Sequence, residues 1–127
     1  MAAGKYTFII EQGATTEFEV VWKDSAGDPV SLTDYHARMH IRSHYGSGGE
    51  LYASLSSSRD KDGTGFDMNG IDGSKHRHSG SMGLYISAAS SSAFTFNEAK
   101  YDLEMVSGSR VTRLLQGNIK LSKEVTV

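Results

Sequence analysis

Apolar and polar residues alternate with period two along the last quarter of the chain, Ala99 to Val127. This pattern predicts strand and not helix, because successive side chains of a strand point to opposite faces. The segment Ser107-Gly108-Ser109 interrupts the alternation, as expected for a hairpin with Gly108 and Ser109 in its turn. The resulting register pairs Val106 with Val111, Met105 with Thr112, Glu104 with Arg113 and Leu103 with Leu114. We therefore expect a Glu104–Arg113 cross-strand pair worth roughly 0.2–1 kcal/mol.

The outer face of this predicted hairpin is more apolar than an edge hairpin requires. Tyr101, Leu103, Met105 and Leu114 are expected to face the core. The solvent side is predicted to hold Asp102, Glu104 and Arg113, but also Val106, Val111 and Leu115. We predict that these last three residues form a docking face for a partner protein.

The rest of the chain reads as short strands separated by turns. The predicted elements are a first hairpin of Lys5–Glu11 with Thr16–Lys23 joined by 12–15, a strand at His36–Ser43, a strand from Leu51 to Leu55, a short strand around Phe66 and Met68, a strand through Met82, Leu84 and Ile86, and a helical turn over Ser87–Ala93 capped by Ser87. Phe94 and Phe96 are expected in the core, and so are Ala37, Met39 and Ile41 of the strand at His36–Ser43. About eight short strands at this spacing predict an all-β sandwich or barrel, formed as one domain over residues 1–127.

Composition limits the classes of partner. The chain has 127 residues and a formal net charge of −2, with no clustered basic face for nucleic acid or an anionic membrane. At this length roughly two-thirds of the unfolded surface can be buried on folding. No cysteine is present, which excludes a disulfide framework and a cysteine nucleophile. The start, MAAGKYTFII, lacks the apolar region of a signal peptide, so we expect a soluble protein made in the cytoplasm.

The histidines give a weak metal signal. His36, His40 and His44 are spaced by four, but on a strand His36 and His40 would be ~13 Å apart. A zinc ligand atom must lie ~2 Å from the metal, so we predict solvated histidines and no metal site. The run Lys75, His76, Arg77 and His78 lies in a polar stretch, Asn69 to Gly80, that we predict as an exposed contact loop.

Other candidate chemistry is incomplete. Asp60, Asp62, Thr64 and Gly65 match a calcium loop at its positions 1, 3, 5 and 6, but position 12 is Ile71 instead of glutamate. No catalytic motif occurs, so we expect no catalytic residues and no cofactor.

Exposed tyrosines can stack on sugars, and a carbohydrate-binding surface would use Tyr45, Tyr52 and Tyr85. A metal-dependent enzyme built on the histidines is a third reading.

Several motifs, taken in order, resemble a bacteriophage module. They are Ile10-Glu11-Gln12-Gly13-Ala14-Thr15, Gly27-Asp28-Pro29-Val30-Ser31-Leu32-Thr33-Asp34, Ala37-Arg38-Met39-His40-Ile41-Arg42, Tyr101-Asp102-Leu103-Glu104 with Val111-Thr112-Arg113-Leu114-Leu115-Gln116-Gly117, and Glu124-Val125-Thr126. The chain is similar to the small immunoglobulin-like domain of tailed-phage virion structural proteins, including the N-terminal domains of baseplate upper proteins and of tail-fibre or receptor-binding proteins. The stretch from Ser56 to Gly80 departs from that pattern.

The resemblance implies an immunoglobulin-like sandwich of about eight short antiparallel strands and an attachment role without catalytic residues. Because no receptor-binding region follows Val127, we expect a small tail, baseplate, neck or fibre adaptor in the virion, synthesised in the host cytoplasm. Its partners would be other virion structural proteins, with copies repeated as a homo-oligomer around a symmetric particle. The alternatives are a capsid decoration protein and a module that binds carbohydrate or the host surface.

Overall fold

The computed structural model describes residues 4–44 and 49–123. These residues form nine strands in two sheets, with one short helix and one 3₁₀ turn at Arg77–Ser79. The elements are β1 (Gly4–Lys5), β2 (Phe8–Glu11), β3 (Thr16–Val21), β4 (His36–Arg42), β5 (Leu51–Ser56), β6 (Gly65–Asp67), β7 (Ser81–Ile86), α1 (Ala88–Ser92), β8 (Glu98–Ser107) and β9 (Arg110–Ser122). The predicted all-β sandwich is confirmed.

The larger sheet has the order β1-β9-β8-β4-β5, and β2 also pairs with β9. The predicted first hairpin is wrong, because β2 pairs with β9 in parallel whereas β3 pairs with β7 in the other sheet. The connection between them crosses from sheet to sheet and is held by distant groups. Gly13 N donates to Ser91 Oγ at 3.0 Å, and that hydroxyl donates to Ala14 O at 2.8 Å. The strands are therefore not all antiparallel, since β1 and β2 run parallel to β9.

The smaller sheet has the order β3-β7-β6 and is antiparallel throughout. Of the short strand predicted around Phe66 and Met68, the part at Phe66 is confirmed, and Met68 follows the last residue of β6. The predicted strand through Met82, Leu84 and Ile86 is confirmed. The predicted helical cap is confirmed as well, because the Ser87 hydroxyl accepts a hydrogen bond from Ser90 N at the start of α1.

The core lies between the two sheets and draws alternate residues from both. In β4 the predicted inward residues Ala37, Met39 and Ile41 are fully buried. Phe94 and Phe96 are buried as predicted. Phe8 packs edge-on against Tyr101 of its own sheet and against Phe18 of the facing sheet, with ring centroids 5.0 and 4.8 Å apart. These contacts join the first strands of the chain to the centre of the sandwich.

The β8–β9 hairpin follows the predicted register only up to a bulge. Val106 pairs with Val111, Met105 with Thr112 and Glu104 with Arg113, as predicted. The register then shifts between Leu103 and Glu104, so that Leu103 lies opposite Leu115 and the predicted Leu103–Leu114 pair is wrong. One extra residue in β9 moves every later side chain to the face opposite the predicted one.

Candidate docking surface

The outer face of the larger sheet is a row of paired charges. Arg38 on β4 and Arg113 on β9 both lie directly opposite Glu104 on β8. Glu104 forms its ion pair with Arg38, whose Nε lies 2.8 Å from Glu104 Oε1. Arg113 instead pairs with Asp102, with Nε 3.6 Å from Asp102 Oδ2. The predicted Glu104–Arg113 juxtaposition is thus present, but the ion pairs join different residues. Both pairs are partly exposed, so each contributes at most about 1 kcal/mol.

Between these charges is a shallow hollow of about 220 Å³, lined by Arg38, His40, Asp102 and Glu104. It offers both signs of charge to a partner. His40 lies directly opposite Asp102, and its Nδ1 is 3.4 Å from an Arg42 side-chain nitrogen. The hollow is polar, so it suits the rim of a protein contact better than the centre of one.

The apolar part of this face lies at the end of the hairpin. His36, Val106 and Val111 form one row across β4, β8 and β9. Val111 is 48% exposed, whereas Val106 is only 7% exposed. Of the two predicted valines, Val111 therefore presents most of the accessible apolar surface.

The predicted position of Leu115 on the outer face is wrong. Because of the bulge, Leu115 pairs with inward-facing Leu103 and packs, partly buried, against the core. Leu114 also packs against the core. Only Val106 and Val111 remain of the predicted docking face.

The run Lys75 to His78 is exposed, as predicted for the contact loop. Several bonds nevertheless hold it to the body of the protein. Lys75 Nζ lies 3.4 Å from Glu19 Oε2 on β3, and Ser31 Oγ lies 2.9 Å from His78 Nδ1. Arg77 O accepts a hydrogen bond from Leu32 N at 2.8 Å. A partner at this loop would meet an ordered basic surface next to β3.

The histidines form no metal cluster within residues 4–44 and 49–123. His36 and His40 lie on one strand, as expected from the pattern. The two further histidines of the loop, His76 and His78, are exposed.

The acidic loop between β5 and β6 has a structural role that the sequence did not indicate. Asp62 Oδ2 accepts hydrogen bonds from Ser87 Oγ at 2.6 Å and Ser90 Oγ at 2.7 Å, while Oδ1 accepts from Thr64 N at 3.0 Å. These donors, Ser87 first, hold the pKa of the Asp62 carboxyl well below its usual range. The carboxylate thus fastens the loop to the start of α1.

Two of the three candidate sugar-binding tyrosines, Tyr52 and Tyr85, lie on strands of different sheets. Tyr52 stacks on Phe96 with ring centroids 4.6 Å apart. Tyr85 donates a hydrogen bond to Ile71 O, and the Arg59 guanidinium covers its ring 4.1 Å from the centroid. Burial raises the pKa of the Tyr85 hydroxyl, with the Asp67 charge as the next cause. Tyr45 lies outside the described residues.

No protein-family model matches the chain, and no curated protein is detectably similar to it in sequence. Within the described part of the chain, no helix is long and apolar enough to cross a membrane. The motif Glu124-Val125-Thr126 and the terminal Val127 lie outside the described residues.

Proposed function

We propose that this chain is a non-enzymatic structural protein of a bacteriophage virion. It acts as an adaptor or attachment module of the tail, baseplate or neck, and binds neighbouring virion subunits by protein–protein docking. It is made in the host cytoplasm and is repeated around the symmetric particle, without nucleic acid or membrane as a partner. The motif resemblance supplies the phage setting, and the geometry of the hairpin supplies the docking mode.

The observation that carries the docking mode is the arrangement around Val111. This half-exposed valine sits beside Val106 at the end of the hairpin, on a face whose next rows are charged. The adjacent row holds Arg38, Glu104 and Arg113, and Asp102 in the row beyond it pairs with Arg113. A small apolar centre bordered by polar side chains is the usual composition of a protein interface.

The central position of β8 in the larger sheet favours the same function. The resembling motif Tyr101-Asp102-Leu103-Glu104 lies on β8, which has strands paired on both sides. Its two apolar members are buried and its two acidic members bear the outer ion pairs. A surface built on paired central strands changes little on docking, which lowers the entropic cost of binding.

The cluster of Asp62 with the Ser87 and Ser90 hydroxyls is held by hydrogen bonds within the fold. The Asp62 carboxylate accepts hydrogen bonds from two serine hydroxyls and one backbone N–H, all within the protein. Ser87 in turn accepts from Ser90 N at the helix start. These bonds give the cluster a structural explanation, which supports a non-enzymatic role.

Incorporation into phage particles tests the proposal. Val111→Glu places a charge at the apolar centre, so we expect a folded protein that is absent from purified particles. Val21→Glu is the matched control, because Val21 is 43% exposed on the other sheet and should leave incorporation unchanged. Normal incorporation of a folded Val111→Glu protein would contradict docking at this face.

A further inference from the structure

The N-terminal edge of the larger sheet consists of β1 and β2, which keep one register with β9 and leave their other side free among the described residues. Gly4 lies opposite Leu115 and Phe8 opposite Ile119, so no residue is inserted between β1 and β2. Tyr6 N donates to Gln116 O at 3.1 Å and Gln12 N donates to Ser122 O at 2.9 Å. Even-numbered residues therefore bond to β9. By alternation, the backbone groups of Lys5, Thr7, Ile9 and Glu11 point away from the sheet.

The same four residues are exposed. Ile9 is 69% exposed, the largest fraction among the large hydrophobic residues of the described chain. An edge that combines unpaired backbone groups with an exposed apolar side chain is a template for a further strand.

Charge complementarity identifies the strand that fits. When two copies of this edge pair antiparallel about a two-fold axis at Phe8, Lys5 of each copy lies opposite Glu11 of the other, and Thr7 lies opposite Ile9. These are the residues whose backbone groups point outward. Neither Lys5 nor Glu11 has an ion-pair partner within residues 4–44 and 49–123. Glu11 O already accepts from Ala14 N, so the Glu11 N–H is the group that remains for a partner.

The other long edges are less suited to pairing with themselves. Glu17 and Glu19 are outward residues of β3, and self-pairing of this strand would bring like charges together. Lys75 also lies beside Glu19. The β5 edge is irregular, because its register with β4 shifts between Ile41 and Arg42. Bulges and like charges are ordinary means of blocking a sheet edge.

We propose that the β1–β2 edge is a homodimer interface, in which two copies join their larger sheets through antiparallel pairing of residues 5–11. The pair of Lys5 with Glu11, made twice, sets the register. The outer faces of both sheets then lie on the same side of the joined sheet, and both Val111 surfaces stay free. The inference rests on the strand geometry and the charges of this edge and does not require the virion assignment.

Sedimentation equilibrium tests the interface with charge-reversed variants. The full chain should form a dimer with a dissociation constant between low micromolar and about 1 mM. Lys5→Glu and Glu11→Lys should each weaken the dimer about tenfold or more, and combining them should restore it to within about twofold. Glu17→Lys makes the same charge change off the interface and should have no effect. A wild-type chain that stays monomeric overturns the proposal, as does a double variant no better than the single ones.

Oxidative cross-linking tests the register independently, since the chain contains no cysteine. In the proposed register Thr7 and Ile9 of different copies are about 5.5 Å apart between Cα atoms, within reach of a disulfide. The Thr7→Cys/Ile9→Cys variant should form a covalent dimer, and Ile9→Cys alone should not. Equal cross-linking by Ile9→Cys alone, or none by the double variant, contradicts the register.

Discussion

The Tyr101 hydroxyl donates a hydrogen bond to the carbonyl oxygen of Tyr6 at 2.7 Å. The bond joins a strand in the centre of the larger sheet to the strand at its edge. It lies between β1 and β2, where the backbone ladder with β9 is interrupted. A side chain thus takes part of the role that backbone pairing has elsewhere along this edge.

Removing this hydroxyl should destabilise the fold. Tyr101→Phe keeps the buried ring but leaves the Tyr6 carbonyl without this donor, so we expect a loss of about 1 kcal/mol in the free energy of unfolding. Urea unfolding measures the change. Tyr35→Phe is the control, because its half-buried ring contacts Trp22 and no hydroxyl bond is found for it among the described residues. Equal stability of Tyr101→Phe and wild type would show that the bond contributes nothing.

Gly117 should resist substitution at the same crossing. It has φ of +157°, and a Cβ there would collide with the Tyr6 carbonyl group. Gly117→Ala must displace the edge strand, so we expect a cost of about 2 kcal/mol or more in thermal or chemical unfolding. Gly27→Ala separates backbone strain from collision, because Gly27 has φ of +87° and open space around it. Its cost should stay near 1 kcal/mol. A smaller cost at Gly117 than at Gly27 would refute the close approach.

Glutamate substitutions at two positions of β9 should distinguish a core-facing residue from a surface residue. Leu115→Glu introduces a charge against the core and should cost about 2 kcal/mol or more. Val111→Glu lies on the exposed end of the hairpin and should change stability by less than about 0.5 kcal/mol. Comparable urea midpoints for the two variants would contradict the bulge that turns Leu115 inward.

Acid should weaken the fold partly through Asp62. The pKa of Asp62 is lower in the folded state than in the unfolded state. Its contribution to the stability of the fold is therefore fully present above about pH 4 and is lost as the pH falls below that value. Asp62→Asn removes this titration and should flatten the fall in melting temperature between about pH 4 and pH 2.

Asp60→Asn is the matched control in the same turn, where the aspartate joins the turn through its backbone. This variant makes the same chemical change nearby and keeps the hydrogen bonds that Asp62 accepts from Ser87 and Ser90. An Asp62→Asn profile parallel to that of the wild type would show that the serine and backbone donors do not stabilise the carboxylate.

Local patterns predicted local structure in this chain. The strict alternation of β4 predicted its inward residues, and Ser87 predicted the start of α1. The doublet Leu114-Leu115 breaks the alternation of β9, which was a readable sign of the bulge. The parallel pairing of β2 with β9 had no comparable sign, because the two strands lie near opposite ends of the chain and no short turn fixes their register.

The candidate site was predictable to the same extent. The position of Val111 opposite Val106 follows from the turn at Gly108 and is as predicted. Leu115 lies beyond the bulge, so its predicted face is wrong. The partners of Glu104 and Asp102 could not be chosen from the hairpin alone, since Arg38 belongs to a strand more than sixty residues away. Neighbouring strands decide which charges pair, and strand order is a property of the whole sheet.

The proposed virion role is tested most directly by a reconstruction of intact particles of the phage proposed to encode this chain. We predict density for the two-sheet domain in the tail, baseplate or neck, repeated by the symmetry of that structure, with the Val111 end of the hairpin against a neighbouring subunit. Purified particles that lack the chain, by mass spectrometry and by density, would contradict the account.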